Sequence, residues 1–269
     1  MKLVLLSIIG MGGLGFFFAS ILAAANEKFK VKEDPKIIEI EGALPGVNCG
    51  ACGFLNCHDY AAHVANGSAS VDSCRPGGES TKQALAKIMG VEAKQGVKVK
   101  AIVHCAADKK DRKRKAYYIG AMTCAGANIV KGGEVLCGYG CLGYGDCMAA
   151  CPFDAIRMID GLPRIILDKC VACGKCVEAC PRDIISLAEL DRNGKALYVA
   201  CRSHEKGALT RKICSKGCIA CGICARLSGG AFEIKDFLAE PDRAKLKNVE
   251  NRAEIMLKCP TKVIKQVGS

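Results

Sequence analysis

The run Cys170-Val171-Ala172-Cys173-Gly174-Lys175-Cys176-Val177-Glu178-Ala179-Cys180-Pro181 constrains the fold more than any other stretch. Three thiols two residues apart, then a fourth three residues on and followed by proline, match the ligand spacing of a [4Fe–4S] cluster. Tight turns let the first three hold three irons of one cubane. The fourth sits where proline turns the chain away, and in two-cluster arrangements it serves the neighbouring cluster. Structural zinc sites pair C-x2-C knuckles and do not use a third thiol at the same interval.

The chain has 269 residues and 20 cysteines, but only eight Phe, six Tyr and no Trp. Its globular parts are therefore expected to lean on inorganic centres as much as on apolar packing. Disulfides are the ordinary explanation for so many thiols. Grouping at ligand spacing argues against them. The formal net charge of +12 counts every cysteine as neutral. A cluster with four thiolates carries roughly −2 when oxidised, so several would leave the loaded protein only mildly basic.

Leu3 to Ala25 contains no charged residue and is long enough to cross a bilayer as a helix. Gly12, Gly13 and Gly15 form a small-residue patch suited to packing on other membrane helices. A signal peptide cleaved after Ala25 is the rival, but the apolar run is longer than a usual h-region. Lys28, Lys30, Lys32 and Lys36 follow, and positive flanks stay in the cytoplasm. The expectation is an uncleaved single-pass anchor in the cell (inner) membrane, residues 1–26, with the large C-terminal part cytoplasmic. Residues 27–45 read as a linker, a short charged stalk.

Next comes Gly46-Val47-Asn48-Cys49-Gly50-Ala51-Cys52-Gly53-Phe54-Leu55-Asn56-Cys57, with Cys74 sixteen residues beyond. These are four thiols in a compact segment, with glycines that let the backbone turn close to a bulky centre. Spacing alone leaves a mononuclear zinc site open. Cys57 to Ala65 reads as a helix, and so does Ser80 to Met89, with Ser80 and Gln83 as a capping box and Gly90 as its end. Residues 46–90 form the N-terminal cluster domain, and 91–98 a boundary.

From Cys105 onward the chain is ferredoxin-like and repeated. Cys124-x12-Cys137-x3-Cys141 in one copy matches Cys201-x12-Cys214-x3-Cys218 in the other. Asp160-Gly161 and Asn193-Gly194 each signal a hairpin turn, the second between Ile184–Leu190 and Ala196–Val199. The crossed ligand rule assigns Cys151, Cys170, Cys173 and Cys176 to one cluster. The other takes Cys180 with three thiols of an irregular motif, because Tyr144 stands where a middle cysteine would be. Cys137, Cys141, Cys147 and Cys180 is the expected set, with Cys124 as the substitute for Cys137. In the second copy Cys218, Cys221 and Cys224 are intact, but Ser228 and Gly229 replace Cys-Pro. Counting back from Cys259-Pro260 lands on Ile255, Arg252 and Val249. The lost positions are one complete ligand set, and Cys218, Cys221, Cys224 and Cys259 are the other. The modules are 99–200 with two clusters and 201–269 with one. Cys105, Cys124, Cys201 and Cys214 are left over, as buried thiols or as a fifth centre between the copies.

The anchor, the GVNCGACGFLNC run with Cys74, and the downstream ferredoxin motifs together resemble the B subunit of the Rnf complex. That complex is a membrane-bound ferredoxin–NAD oxidoreductase coupled to sodium or proton transport, and the resemblance covers nearly the whole chain. It implies a [4Fe–4S] centre at Cys49, Cys52, Cys57 and Cys74, electron entry from soluble ferredoxin, and other subunits that handle NAD and the ion. A corrinoid-associated iron–sulfur subunit of acetyl-CoA synthesis carries a similar cysteine run, but that likeness leaves the anchor and the ferredoxin part unexplained.

The fold class expected is α+β: one transmembrane helix, a small helical [4Fe–4S] domain, then tandem bacterial-ferredoxin-like modules holding [4Fe–4S] clusters, four in number with five as the alternative. The function expected is cluster-to-cluster electron transfer, with no catalytic residues of its own. The basic run Lys109-Lys110-Asp111-Arg112-Lys113-Arg114-Lys115 suits steering of an acidic ferredoxin, or is a solvated loop. It lacks the aromatic platforms of nucleic-acid binding, and no G-x-G-x-x-G follows a strand, so neither nucleic acid, nucleotide nor flavin is expected. Membrane lipid is the remaining partner. His58, His63, His104 and His204 are too scattered for a shared site. A relay subunit of a hydrogenase or dehydrogenase, or a zinc- or disulfide-stabilised interaction protein, are the rival readings.

Overall fold

A computed structural model describes residues 2–29, 34–93, 97–246 and 248–268. The apolar run forms one helix, α1 (Lys2–Phe29). An 18-residue window within its stretch Ile8–Phe29 has a mean hydropathy of 2.0 and is not buried against the rest of the chain. At 1.5 Å per residue these 22 residues rise about 33 Å, enough for the hydrocarbon core. Lys30 and Lys32 lie outside the described residues.

The stretch expected to be a stalk contains a helix, α2 (Pro35–Ala43). Asp34 caps it by accepting from the Lys36 amide at 2.9 Å, and Pro35 occupies the first turn, where its missing N–H costs nothing. Ile40 and Leu44, one turn apart, fall on its inner face. They pack with Tyr60, Ala61 and Val64 of α3 (Cys57–Ala65) and with Leu85 of α4 (Gly78–Met89). The stretch expected to be a linker thus contributes a packed helix to the core formed with α3 and α4. The capping box at Ser80 is also absent. α4 starts at Gly78 with no side-chain cap, and Ser80 Oγ instead donates to the Gly77 carbonyl at 3.3 Å. Gly90, at φ 68°, ends the helix in the left-handed conformation that glycine adopts without a Cβ clash. The boundary read over 91–98 lies partly outside the described residues, at 94–96.

The rest consists of two modules with one plan. In the first, β1 (Val99–Val103) leads through α5 (Cys124–Ile129) and α6 (Asp146–Ala149). The hairpin β2 (Ile156–Ile159) and β3 (Leu162–Ile165) follows, then α7 (Lys175–Glu178) and β4 (Ile185–Glu189). In the second, β5 (Ala196–Val199) leads through α8 (Gly207–Ile213), α9 (Ile223–Leu227) and the hairpin β6 (Phe232–Lys235) and β7 (Leu238–Pro241). α10 (Arg243–Leu246), α11 (Arg252–Lys258) and β8 (Ile264–Val267) complete it. Each module closes by pairing its first strand antiparallel with its last: Ala101 opposite Leu187, and Tyr198 opposite Lys265. The turn at Asp160 (φ 50°) and Gly161 (φ 73°) makes the inner hairpin of the first module.

Asn193-Gly194 does not make a hairpin. β4 and β5 belong to different sheets, and the turn joins one module to the next. Its local chemistry is that of a tight turn, with Asp191 Oδ1 accepting from the Asn193 and Lys195 amides. The partners of β4 and β5 are far away in sequence, so a local turn signal could not show them.

Candidate iron–sulfur sites

The three motif loops follow one backbone path. The residues two and four places after the first cysteine both take left-handed φ. They are Ala172 (56°) and Gly174 (87°) after Cys170, Ala220 (54°) and Gly222 (72°) after Cys218, and Gly143 (86°) and Gly145 (90°) after Cys141. An alanine held there costs roughly 1–2 kcal/mol, a strain that persists where surrounding structure imposes it. The glycine then opens α7, α9 or α6, each of which carries the next thiol one residue in: Cys176, Cys224 and Cys147. These bends turn successive thiols towards one centre.

Cys151, Cys170, Cys173 and Cys176 line a cavity of about 330 Å³. Cys218, Cys221, Cys224 and Cys259 line another of about 330 Å³. The thiol of Cys176 is pushed up to about 12, first by burial and then by its neighbours Cys170 and Cys173. Cys259 shifts the other way. Burial alone would raise it, but the Ile264, Val263 and Thr261 amides and the Thr261 hydroxyl outweigh that by favouring a thiolate.

The structure groups the thiols of the irregular set differently from the expected Cys137, Cys141, Cys147 and Cys180. Cys124, not Cys137, joins Cys141, Cys147 and Cys180 around a cavity of about 340 Å³. Asp146, the residue before Cys147, accepts from the amides of Cys124 (2.7 Å) and Ala125 (2.9 Å). Thr123 caps the same short helix by accepting from the Gly126 amide at 3.0 Å. The motif loop thus pins the start of α5 and brings the Cys124 thiol to the cavity of Cys141, Cys147 and Cys180. The Thr123-Cys124 cap was the sequence signal that could have found it.

Cys137 faces a different cavity, of about 450 Å³, together with Cys105, Cys201 and Cys214. The repeat is therefore aligned differently from its spacing. Cys105 and Cys201 each stand two residues past the first strand of their module, β1 and β5. Cys137 and Cys214 each stand four residues before the first motif cysteine. Cys124 lies in an insertion without counterpart in the second copy, and its interval to Cys137 equals that of Cys201 to Cys214 by coincidence.

In the N-terminal domain, burial pushes the Cys74 thiol up, the Gly77 amide opposes this, and Cys57, Cys52 and Cys49 add to the rise. The other three cysteines of the segment thus lie close enough to Cys74 to influence its thiol. Left-handed Gly46, Gly50 and Gly53 fold the loop, and Asn48 Oδ1 accepts from the Cys57 amide at 2.7 Å to fix the start of α3.

The positions that stand at motif spacing before Cys259 carry no ligand side chain, and two of them pack in the core. Ile255 is fully buried with Phe232, Leu246 and Val263, and Val249 packs against them. Ser228 Oγ accepts from the Phe232 amide at 3.2 Å. Arg252 reaches out to Asp191 Oδ2 and to the carbonyls of Leu246 (3.2 Å) and Val249 (3.0 Å).

All twenty cysteines are free thiols. Among the described residues no three of them converge as the ligands of one ion. Each cavity set stands around a void, an arrangement that suits a bulky four-thiolate cubane better than a single zinc. The sets are also neighbours in a row. Arg75 Nη1 donates to the Ala172 carbonyl at 3.4 Å, docking the N-terminal domain on the first module. After burial and the Lys175 amide, the strongest influence on Cys173 comes from Cys49 of that domain. Cys176 responds to Cys147, and Cys141 to Cys105. The Cys218 amide donates to Cys201 Sγ at 3.3 Å.

Two ferredoxin-like modules built around sulfur-lined cavities, with a separate domain that carries four further cysteines, define an iron–sulfur electron-transfer protein with [4Fe–4S] centres. A family described as a putative Fe–S cluster matches residues 44–76, and a 4Fe–4S dicluster domain matches residues 137–181. The B subunit of the Na(+)-translocating ferredoxin:NAD(+) oxidoreductase complex of Acetobacterium woodii is 40% identical over 77% of this chain, which spans 62% of that protein. The B subunit of the ion-translocating oxidoreductase complex of Methanosarcina acetivorans is 36% identical over 89% of the chain and 90% of its own length. Its counterpart in the proton-translocating ferredoxin:NAD(+) oxidoreductase complex of Clostridium ljungdahlii is 35% identical over the whole chain and 94% of its length. The chain belongs to the B-subunit family of Rnf-type ion-translocating oxidoreductase complexes. Membrane association and assembly with other subunits of such a complex follow from these relatives and from α1.

Proposed function

We propose that this chain is the electron relay of an Rnf-type complex. It receives low-potential electrons from reduced soluble ferredoxin at the modules and passes them through the N-terminal domain to partner subunits. Those subunits carry out NAD reduction coupled to Na+ or H+ translocation. The single observation that carries this reading is the series of cysteine-lined cavities in the two modules, the first of which is docked on the domain that follows α1. The clusters, when bound, supply one-electron chemistry. The chain's own residues fix their spacing, exclude water and donate hydrogen bonds to sulfur, as the Ala155 amide does to Cys151 Sγ at 3.4 Å.

Shared cavities support three ligand sets in the modules: Cys151, Cys170, Cys173 and Cys176; Cys124, Cys141, Cys147 and Cys180; and Cys218, Cys221, Cys224 and Cys259. Sequence spacing supports Cys49, Cys52, Cys57 and Cys74 as the fourth. The basic run supports ferredoxin docking in part. Arg112 turns inward to the Cys141 and Gly161 carbonyls, and Arg114 pairs with Glu134 at 3.6 Å, but Lys109, Lys110 and Lys113 point outward. Lys28, Lys30, Lys32 and Lys36, which follow the apolar run in the sequence, support a cytoplasmic side for the modules.

Anaerobically purified chain, mixed with reduced ferredoxin, tests the reading. Its clusters should be reduced at a rate that falls with ionic strength, and the chain alone should not reduce NAD. Protein without iron and acid-labile sulfide, or protein that reduces NAD unaided, would overturn it.

A further inference from the structure

Cys105, Cys137, Cys201 and Cys214 lie outside the C-x2-C-x2-C runs, yet they line one cavity together, as the three other sets in the modules each do. Two of the thiols come from each module, and they come from equivalent places: past the first strand, and four residues before the first motif cysteine. The site is thus a pair of half-sites related by the repeat. Cys201 Sγ accepts from the amides of Ser203 (3.4 Å) and Cys218 (3.3 Å). That is the same kind of bond that Cys151 accepts in a motif-bound set. Three cationic side chains, Arg112, Arg202 and Lys216, share the lining, which includes no carboxylate. His104 is there too, but its ring is held by the Val199 carbonyl and the Ser186 hydroxyl, each at 2.8 Å.

We propose that these four cysteines hold a further [4Fe–4S] cluster across the boundary between the modules. The donor set and the positive lining both suit a four-thiolate cubane of roughly −2 charge. Its place in the row gives it a role, resting on the relay reading above. It lies between the set of Cys141, whose thiol responds to Cys105, and the set of Cys218, whose amide bonds Cys201. Each transfer takes one electron from a reduced neighbour, which is oxidised by one, and converts the cluster from the 2+ to the 1+ state. With this site filled, all twenty cysteines of the chain are ligands of five clusters.

The whole chain, purified anaerobically in detergent, gives the test through iron, acid-labile sulfide and zinc content and through the number of electrons taken up on reductive titration. Five clusters predict about 20 iron and about 20 sulfide per chain, with five electrons, and no zinc. Cys105→Ala and Cys214→Ala, one from each module, should each lose about four iron and one electron. The Cys259→Ala control should lose the same amount whether or not the fifth site is filled. About 16 iron in the wild type, with the two variants unchanged, would overturn the fifth cluster and leave the relay intact. So would about 16 iron accompanied by one zinc. Absence of iron and sulfide altogether would sink both readings. If either variant fails to fold, the wild-type count decides alone.

Discussion

Arg182 stands between two thiol sets. Burial lowers its pKa, while the thiols of Cys137, Cys180, Cys141 and Cys124 favour its charge. One nitrogen donates to the Gly132 carbonyl, and Nε is buried without a partner. A fixed cation beside a cluster stabilises the reduced, more negative state. Arg182→Met should therefore lower the potential of the adjacent cluster, by on the order of tens of millivolts, read by redox titration followed by electron paramagnetic resonance. The thiols make a second prediction at this scale. Burial pushes Cys141 and Cys147 up to about 12, so in the metal-free protein they are protonated at neutral pH. Cluster assembly must then release protons, about four per cluster, and should become more favourable as pH rises from 7 to 9. The metal-free fold has the opposite trend. Folded-state thiol pKa values above the unfolded value leave its stability intact below about pH 9 and erode it as pH climbs towards 12. Proton uptake or release followed in weakly buffered reconstitution checks the first statement, and denaturant curves of metal-free protein the second.

Among the elements, α5 and α11 show how a small piece of structure decides whether a site exists. α5 has only six residues, and Asp146 satisfies its first two amides. Asp146→Ala should cost about 1 kcal/mol of capping and lower the iron retained at Cys124, with the Cys151 set unaffected. α11 carries two of the residues that stand at motif spacing before Cys259. Arg252 and Asp191 form a largely shielded ion pair, at 17% and 13% exposure. Arg252→Met leaves Asp191 with backbone donors alone and should destabilise the second module by about 2 kcal/mol, measured by thermal unfolding of loaded protein.

What the sequence shows at this scale depends on distance along the chain. The motif loops are local, and spacing from Cys170 to Cys176 is enough to read them. The incomplete set is readable too, because Val249, Arg252 and Ile255 stand at motif spacing before Cys259. The exchange of Cys124 for Cys137 is not, since it depends on where β1 ends and on a carboxylate 22 residues away. α2 was hidden for another reason: its apolar face is short, and it reads as a helix only once α3 and α4 are there to cover Ile40.

For the whole molecule, the apolar window of α1 is not buried against the rest of the chain. Protein lacking residues 1–29 should therefore be soluble without detergent and keep the iron content of the full chain, which sedimentation and iron analysis would show. A drop in iron would mean that α1 supports the cluster domain.

The strand pairing has a consequence for the order of synthesis. The first module can close as soon as β4 has left the ribosome, at residue 189. The second cannot close until residue 267 is free, because β5 waits for β8. In the interval Cys105 and Cys137 are two thiols at an open edge, with their counterparts not yet in place. A ribosome that stalls between those points leaves a loaded first module carrying an oxidisable pair, so reducing conditions protect the nascent chain as well as the finished one.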